Sequence, residues 1–399
     1  MAAAGIIAEY NPLHLGHCCQ LRRLRALLGE ETPVICAMSG NFVQRGDFAL
    51  LGKHARAEAA VRSGADLVLE IPLSWACAPA ERFAQGGVEV LLGTGLVTDL
   101  VFGSESADAG AIRSAAEALL GPDFPEALRR ELAGPHSFAA ARQRALAGLI
   151  GEEGAEVLSR PNDILAVEYA KALLREGSEV HLVPILRQGA GHDQDGGDYP
   201  SAGSIRRMLQ EGRRAEALAA MAPAMREIYE AEKARGRAPV FAAGAERAIL
   251  AQLRRMGEAD FLALDAGGEG LGNRLAAAAR EAASLEELLD RAKTKRYAYS
   301  RLRRLALWAY LGLRPETLPA RVPYLRPLAM NQRGRALLAE ARRRGALPIL
   351  TKPADVRRLT PEAQAVFRRE VLATDLYTLA FPGDPAPGGA EWREGPRVL

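Results

Sequence analysis

Between residues 4 and 185, short apolar runs alternate with longer helical ones, and that alternation limits the possible folds more than any other feature. Runs at 4–8, 33–38, 66–71, 98–102 and 180–185 are too short and too uniformly apolar for surface helices, and read as buried strands. Helical patterns fill the gaps at 16–28, 53–62, 81–92, 108–149 and 164–175. Strands spaced by helices predict an α/β fold with a Rossmann-like parallel sheet and right-handed crossovers. In such sheets ligands bind beyond the carboxyl ends of the strands. His14, His17, Ser39-Gly40-Asn41, Gly103-Ser104 and Arg187 all fall at those ends. After Arg206 the strand signal fades. Helical patterns at 213–233, 245–256, 273–289, 299–311 and 335–344 predict a mostly α-helical second domain. The expected division is 1–210, 211–380 and a loose Pro- and Gly-rich tail at 381–399.

Composition narrows the class. Hydrophobic residues make up 48% of the 399 positions, enough for large cores. Net charge is only +3, and Arg dominates the basic residues, so charge alone names no partner. No apolar stretch approaches the ~18 residues of a membrane span. The N-terminus lacks the basic start and long apolar core of a signal peptide, so a cytoplasmic protein without membrane attachment is expected. The four cysteines, Cys18, Cys19, Cys36 and Cys77, show no CxxC spacing. Reduced thiols and no metal site are expected.

Two of the six histidines stand in "EYNPLHLGH", between the first strand and the first helix. Helix N–H groups and the helix dipole favour an anion there. Gly16 permits close approach of a phosphate to the backbone. Two imidazoles can donate hydrogen bonds as charge builds on a phosphorus under attack, and phosphoryl chemistry depends mainly on such stabilisation. The stretch resembles the HxGH element of the nucleotidyltransferase superfamily, which cleaves ATP between its α and β phosphates. Ser201-Ala202-Gly203-Ser204-Ile205-Arg206 resembles that superfamily's Ser-rich segment, in which Arg206 and the hydroxyls hold the departing phosphates. Taken alone, that segment is also a helix N-cap.

The resemblance then narrows. "GIIAEYNPLHLGH", "MSGNFVQRGDFALLGKHARAEAAVRSGADLVLEIP", "VFGSES", "RPNDILAVEYAKAL" and "TKRYAYSRLRRL" occur in that order. Together they resemble the tRNA(Met) cytidine acetate ligase family over roughly residues 1–310. That resemblance implies activation of acetate by ATP, accompanied by Mg2+, as an acetyl-adenylate with release of pyrophosphate. The acetyl group then passes to N4 of the wobble cytidine in elongator tRNA(Met), with AMP as the other product. It also implies an ATP site formed by Ile7, Ala8, Glu9, Tyr10, Asn11, Pro12, Leu13, His14, Leu15, Gly16, His17, Cys18, Cys19 and Gln20, joined by Gly103, Asn162 and Arg187. His14, His17 and Arg206 are the expected catalytic residues. Asn41, Gln44, Arg45 and Lys53 are candidates for the acetate or cytidine pocket. Asn162-Asp163 before an apolar helix also fits an N-cap pair.

The chain departs from the family pattern at Leu13, Leu15 and Gly203, and in the run 189–193, which lacks an expected Tyr. Residues 291–304 hold seven Lys or Arg and no acid, with Tyr297 and Tyr299 between them. Basic groups give phosphate contacts and aromatics stack unpaired bases, so Lys293, Lys295, Arg296, Arg301, Arg303 and Arg304 are candidate tRNA contacts. A solvated helix face with buried tyrosines is the plainer reading of the same stretch. Two rival functions remain at this point: transfer of AMP onto a small phosphorylated metabolite, and a non-catalytic nucleotide- or RNA-binding module. Oligomeric state is left open.

Overall fold

A computed structural model describes residues 2–187, 199–264 and 270–399; the run 189–193 lies outside them. The main sheet contains β1 (Ala3–Ala8), β2 (Val34–Ser39), β3 (Leu67–Ile71), β4 (Val97–Ser104), β5 (His181–Leu186), β6 (Pro327–Met330) and β7 (Arg397–Val398). Their spatial order is β5-β4-β1-β2-β3-β6-β7. The first five strands are parallel. Every residue of β2 and β3 is buried, as expected for strands covered on both faces. Ala3 and Ile7 of β1 enter one core, with Phe83 of α3 (Ala80–Leu92) and Tyr169 of α4 (Pro161–Arg175). Ala4 and Ile6 enter the other, with Leu24 of α1 (Leu15–Leu28) and Ala57 of α2 (Lys53–Arg62). The period of two thus sends alternate residues of β1 into two separate cores.

The strand order reverses between β1 and β4, which opens a crevice at their carboxyl ends. The turn after β1, the end of β4 and the end of β5 all meet at that crevice.

Beyond Arg206 the structure corrects several expectations. The helix expected at 213–233 is two, with Pro223 starting the second. That expected at 273–289 breaks at Ser284, whose hydroxyl caps the next helix through Glu287 N at 3.0 Å. Strand β6 pairs antiparallel with β3, and β7 pairs with β6. Four and two residues are too short to show a period, and Pro327 disguises the first. The end of the chain is not loose. Besides β7, it supplies Glu391, 2% exposed, to a buried ion cluster.

A third core gathers helices Glu246–Arg255, Leu271–Glu281, Leu285–Ala292, α6 (Tyr299–Leu311) and Tyr377 of α7 (Pro361–Thr378). Phe42 and Phe48 enter it from a small hairpin, Phe42–Val43 and Asp47–Phe48, with their ring centroids 4.8 Å apart. At the hairpin tip Gly46 has φ +76°, and a Cβ there would lie 2.4 Å from Arg304 N. Only glycine fits both that backbone and that approach. The hairpin therefore docks directly on the start of α6.

Candidate active site

The histidine turn is built by its own hydrogen bonds. His14 is the N-cap of α1, and its Nδ1 accepts Gly16 N at 3.1 Å. His17 Nδ1 accepts His14 N at 3.2 Å, so the two rings form a reciprocal capping box. The rings lie 3.8 Å apart at 30°, and Tyr10 packs edge-on against His17. With both Nδ1 atoms accepting, each neutral ring carries its proton on Nε2. Burial and Arg187 lower the His14 pKa to about 3; burial, His14 and Arg187 hold His17 well below 6.5. Two neutral Nε2–H donors are thereby fixed side by side at a helix N-terminus. Gly16 has a local reason too: a Cβ would lie 2.9 Å from His14 Cε1. Tyr10 has φ +46°, a left-handed conformation costing a non-glycine residue roughly 1 kcal/mol or more. Such strain at a strand end concentrates at working sites.

Opposite stands the end of β4. Gly103 lies against Arg187; a Cβ there would be 3.2 Å from Arg187 Cγ. Arg187 Nη1 donates to Asn162 Oδ1 at 3.1 Å, and Asn162 Nδ2 donates to Glu105 Oε1 at 2.5 Å. The Asn-Asp pair does not cap α4 in the expected way: Arg160 holds the N-cap position. The Glu105 carboxylate, from another loop, accepts Asn162 N and Asp163 N instead. Asp163, fully buried, accepts the N–H groups of Glu105 and Ser106 at 3.0 Å. "VFGSES" and "RPNDIL" are thus two halves of one hydrogen-bonded corner.

The third wall is α5 (Ala202–Gln210). Ser201 caps it through Ser204 N at 3.1 Å, which makes its hydroxyl a cap as well as a lining group. Arg206 donates to Asp47 Oδ2 at 2.6 Å and Asn11 Oδ1 at 3.2 Å, with Phe241 5.2 Å from its guanidinium. A Cβ on Gly203 would meet only Ser201 Oγ, at 3.7 Å, so packing does not require glycine there.

These walls enclose one cavity of about 1280 Å³. Ile7, Ala8, Glu9, Tyr10 and Asn11 line it, with His14, Gly16, His17, Cys19 and Gln20. So do Gly103, Asn162, Arg187, Arg206, Gln44 and Arg45. Pro12, Leu13, Leu15 and Cys18 do not line it; Leu13 is buried, and its carbonyl accepts Ala222 N at 3.2 Å. Asn41 and Lys53 are not brought to it either. Asn41 binds Thr374 Oγ1 at 2.9 Å and Lys53 N at 2.9 Å. Lys53, 2% exposed, pairs with Glu70 at 2.6 Å and Glu391 at 2.7 Å.

The basic stretch divides as well. Arg303 and Tyr299 line the cavity; Arg304 donates to Gln44 O at 3.2 Å; Tyr297 is buried under Arg301. Lys293, half-buried, donates to Thr294 O at 2.6 Å, while Lys295 and Arg296 are exposed outside the cavity. Asp47 and Glu105 escaped sequence reasoning as partners of Arg206 and Asn162, although both sit inside quoted motifs. Phe241 and Tyr199 carry no sequence signal.

A parallel sheet with a switch-point crevice, paired histidines at the first helix mouth and an Arg-bearing helix opposite define an HxGH-type nucleotidyltransferase fold. Comparison with known proteins agrees: the family model described as HIGH Nucleotidyl Transferase matches residues 1–388. The tRNA(Met) cytidine acetate ligase of Fervidobacterium nodosum is 34% identical, covering 96% of this chain and 95% of its own. That of Thermotoga petrophila is 37% identical, covering 94% of each. A crystal structure of Thermotoga maritima TmcAL bound with alpha-thio ATP superposes with TM-score 0.94 at 34% identity, over 100% of both chains. The chain belongs to the tRNA(Met) cytidine acetate ligase family.

Proposed function

We propose that this enzyme joins acetate to ATP as acetyl-adenylate and then acetylates N4 of the wobble cytidine of elongator tRNA(Met). AMP and pyrophosphate are the by-products. The observation that carries this reading is the placement of two Nε2–H imidazoles, Arg187 and Arg206 around one cavity at the switch point. In it, His14 and His17 donate to the α phosphate as acetate displaces pyrophosphate. Arg206 leaves Asp47 to hold the departing phosphates, and Arg187 with Asn162 steadies the nucleotide. Phosphoryl transfer of this kind needs little beyond positioning and charge stabilisation.

Mg2+ fits as a companion of the triphosphate. Among the described residues no group of three His, Cys, Asp or Glu could hold a metal alone. Magnesium is commonly carried by substrate phosphates with one or two carboxylates, and Asp47 stands beside Arg206 to serve as one. It would neutralise phosphate charge as pyrophosphate leaves.

RNA reaches the cavity along Arg303 and Tyr299, with the exposed Lys295 and Arg296 meeting phosphates outside it. No helix among the described residues is long and apolar enough to cross a membrane, and a cytoplasmic site of action is part of the proposal. Incubation with ATP, labelled acetate and total tRNA, then nuclease digestion, tests the whole reading. Label in N4-acetylcytidine is expected. Label absent from RNA, with a stable adenylylated metabolite formed instead, would overturn it.

A further inference from the structure

Attack by a cytidine N4 amine needs a proton acceptor, because its lone pair is delocalised into the ring and the nitrogen must shed a proton as it acylates. We propose that Glu9 is that general base. The inference rests on the acetyl-transfer reading above. Glu9 follows the last residue of β1, lines the cavity, and stands at the same strand end as the histidine turn. Its Oε1 is fixed by Gln44 N at 2.7 Å. Its Oε2 makes no hydrogen bond among the described residues, nor is it among their enclosed unpartnered atoms. One oxygen is held and the other is left for a ligand.

Elimination points the same way. His14 and His17 present N–H donors, not lone pairs, to the cavity. Of the lining carboxylates, Asp47 is ion-paired with Arg206 at 2.6 Å and, once Arg206 turns to the phosphates, is the carboxylate that would serve Mg2+. Glu246 accepts Leu285 N at 2.9 Å, and Asp290 accepts the Tyr299 hydroxyl. Those two and the exposed Glu286 stand on helical-domain helices rather than at the strand ends.

The step balances without a further reactant. N4 bonds to the acetyl carbon, and the bond from that carbon to the phosphate oxygen breaks. AMP leaves with the electron pair, and the amine proton passes to Glu9 Oε2 and then to solvent. The groups around Glu9 are Arg45 on the hairpin, Arg56 on α2, Arg206 on α5, Tyr169 on α4 and Cys77. Burial raises its pKa above 4.5 although the three arginines pull the other way. That brings a carboxylate closer to the range useful to a base at neutral pH.

The test separates the two half-reactions in single turnover: formation of acetyl-adenylate, and its transfer to tRNA. Glu9→Gln should lower transfer about 10²–10⁴-fold more than it lowers adenylate formation. Glu9→Asp should restore part of the transfer, and the wild-type rise of transfer with pH should vanish in Glu9→Gln. A parallel fall in both steps, or transfer within about tenfold of wild type, overturns the assignment. If Glu9→Gln does not fold, Glu9→Asp decides: transfer unchanged, or a fall in both steps together, also overturns it. Absence of N4-acetylcytidine with the wild-type enzyme would instead defeat the underlying reading.

Discussion

Arg206 Nη2 lies 2.6 Å from Asp47 Oδ2, while its Nη1 reaches Asn11 Oδ1 at 3.2 Å. A helix residue is thus oriented by the hairpin and by the strand-one loop together. The planar fork matters here, because it can hold a phosphate through two parallel N–H groups, which the point charge of a lysine ammonium cannot match. Arg206→Lys should lower kcat/KM for acetate-dependent adenylate formation by about 10²-fold, with stability little changed. Acetate-dependent ATP–pyrophosphate exchange and a thermal melt measure the two quantities.

The histidine turn makes a pH prediction. Folded His14 has its pKa lowered to about 3, and His17 is also held far below 6.5. Between the folded and unfolded values the unfolded chain binds more protons, so stability is full above 6.5 and declines as pH falls towards 3. Adenylate formation should therefore show no ionisation from these rings between about pH 5 and 8. His14→Gln should flatten part of the acid loss seen in urea midpoints between pH 6 and 4.

The ion cluster makes the opposite prediction at high pH. Burial, with Glu70 adding repulsion, pushes Glu370 up to about 8. Burial also opposes charge on Glu391, but Lys53 and Arg326 outweigh it and hold that carboxyl low. Folded Glu370 keeps a proton that the unfolded chain has lost above 4.5, so stability falls as pH rises through that window to about 8. Glu370→Gln should melt higher than wild type at pH 9, with the difference vanishing near pH 4.5. Glu391→Ala should be destabilising by about 3–5 kcal/mol, since it leaves two buried cations, Lys53 and Arg326, sharing the single carboxylate of Glu70.

Gly46→Ala tests the docking of the hairpin on α6. The added Cβ meets backbone 2.4 Å away in a left-handed conformation. A loss of roughly 2 kcal/mol or more is expected in urea unfolding, together with weaker ATP binding through the displaced Asp47.

How far these relationships could be read in advance depended on the range of the signal. The five parallel strands announced themselves because each is a local apolar run, and Lys53–Arg62 and Tyr299–Leu311 matched their helical patterns to the residue. Strands β6 and β7 did not, because two to four residues carry no period and their pairing is decided by distant neighbours. The histidine pair was legible as a motif, but its reciprocal cap was not, since that depends on ring orientation. Lys53 shows the limit most clearly. A lysine opening a helix looks exposed in sequence, and only the return of Glu391 from the far end of the chain buries it. Asn162 looked like a cap because its neighbour was visible, whereas the true capping group, Glu105, lies 57 positions away.

The central claim is that two neutral, mutually capped imidazoles stabilise the α phosphate while acetate attacks it. Acetate-dependent ATP–pyrophosphate exchange by His17→Ala, measured beside tRNA binding by the same preparation, tests it most directly. The account predicts a loss of exchange of about 10²–10³-fold with tRNA affinity within about threefold of wild type. Exchange that persists near the wild-type rate, or that falls only in step with tRNA affinity, would contradict it.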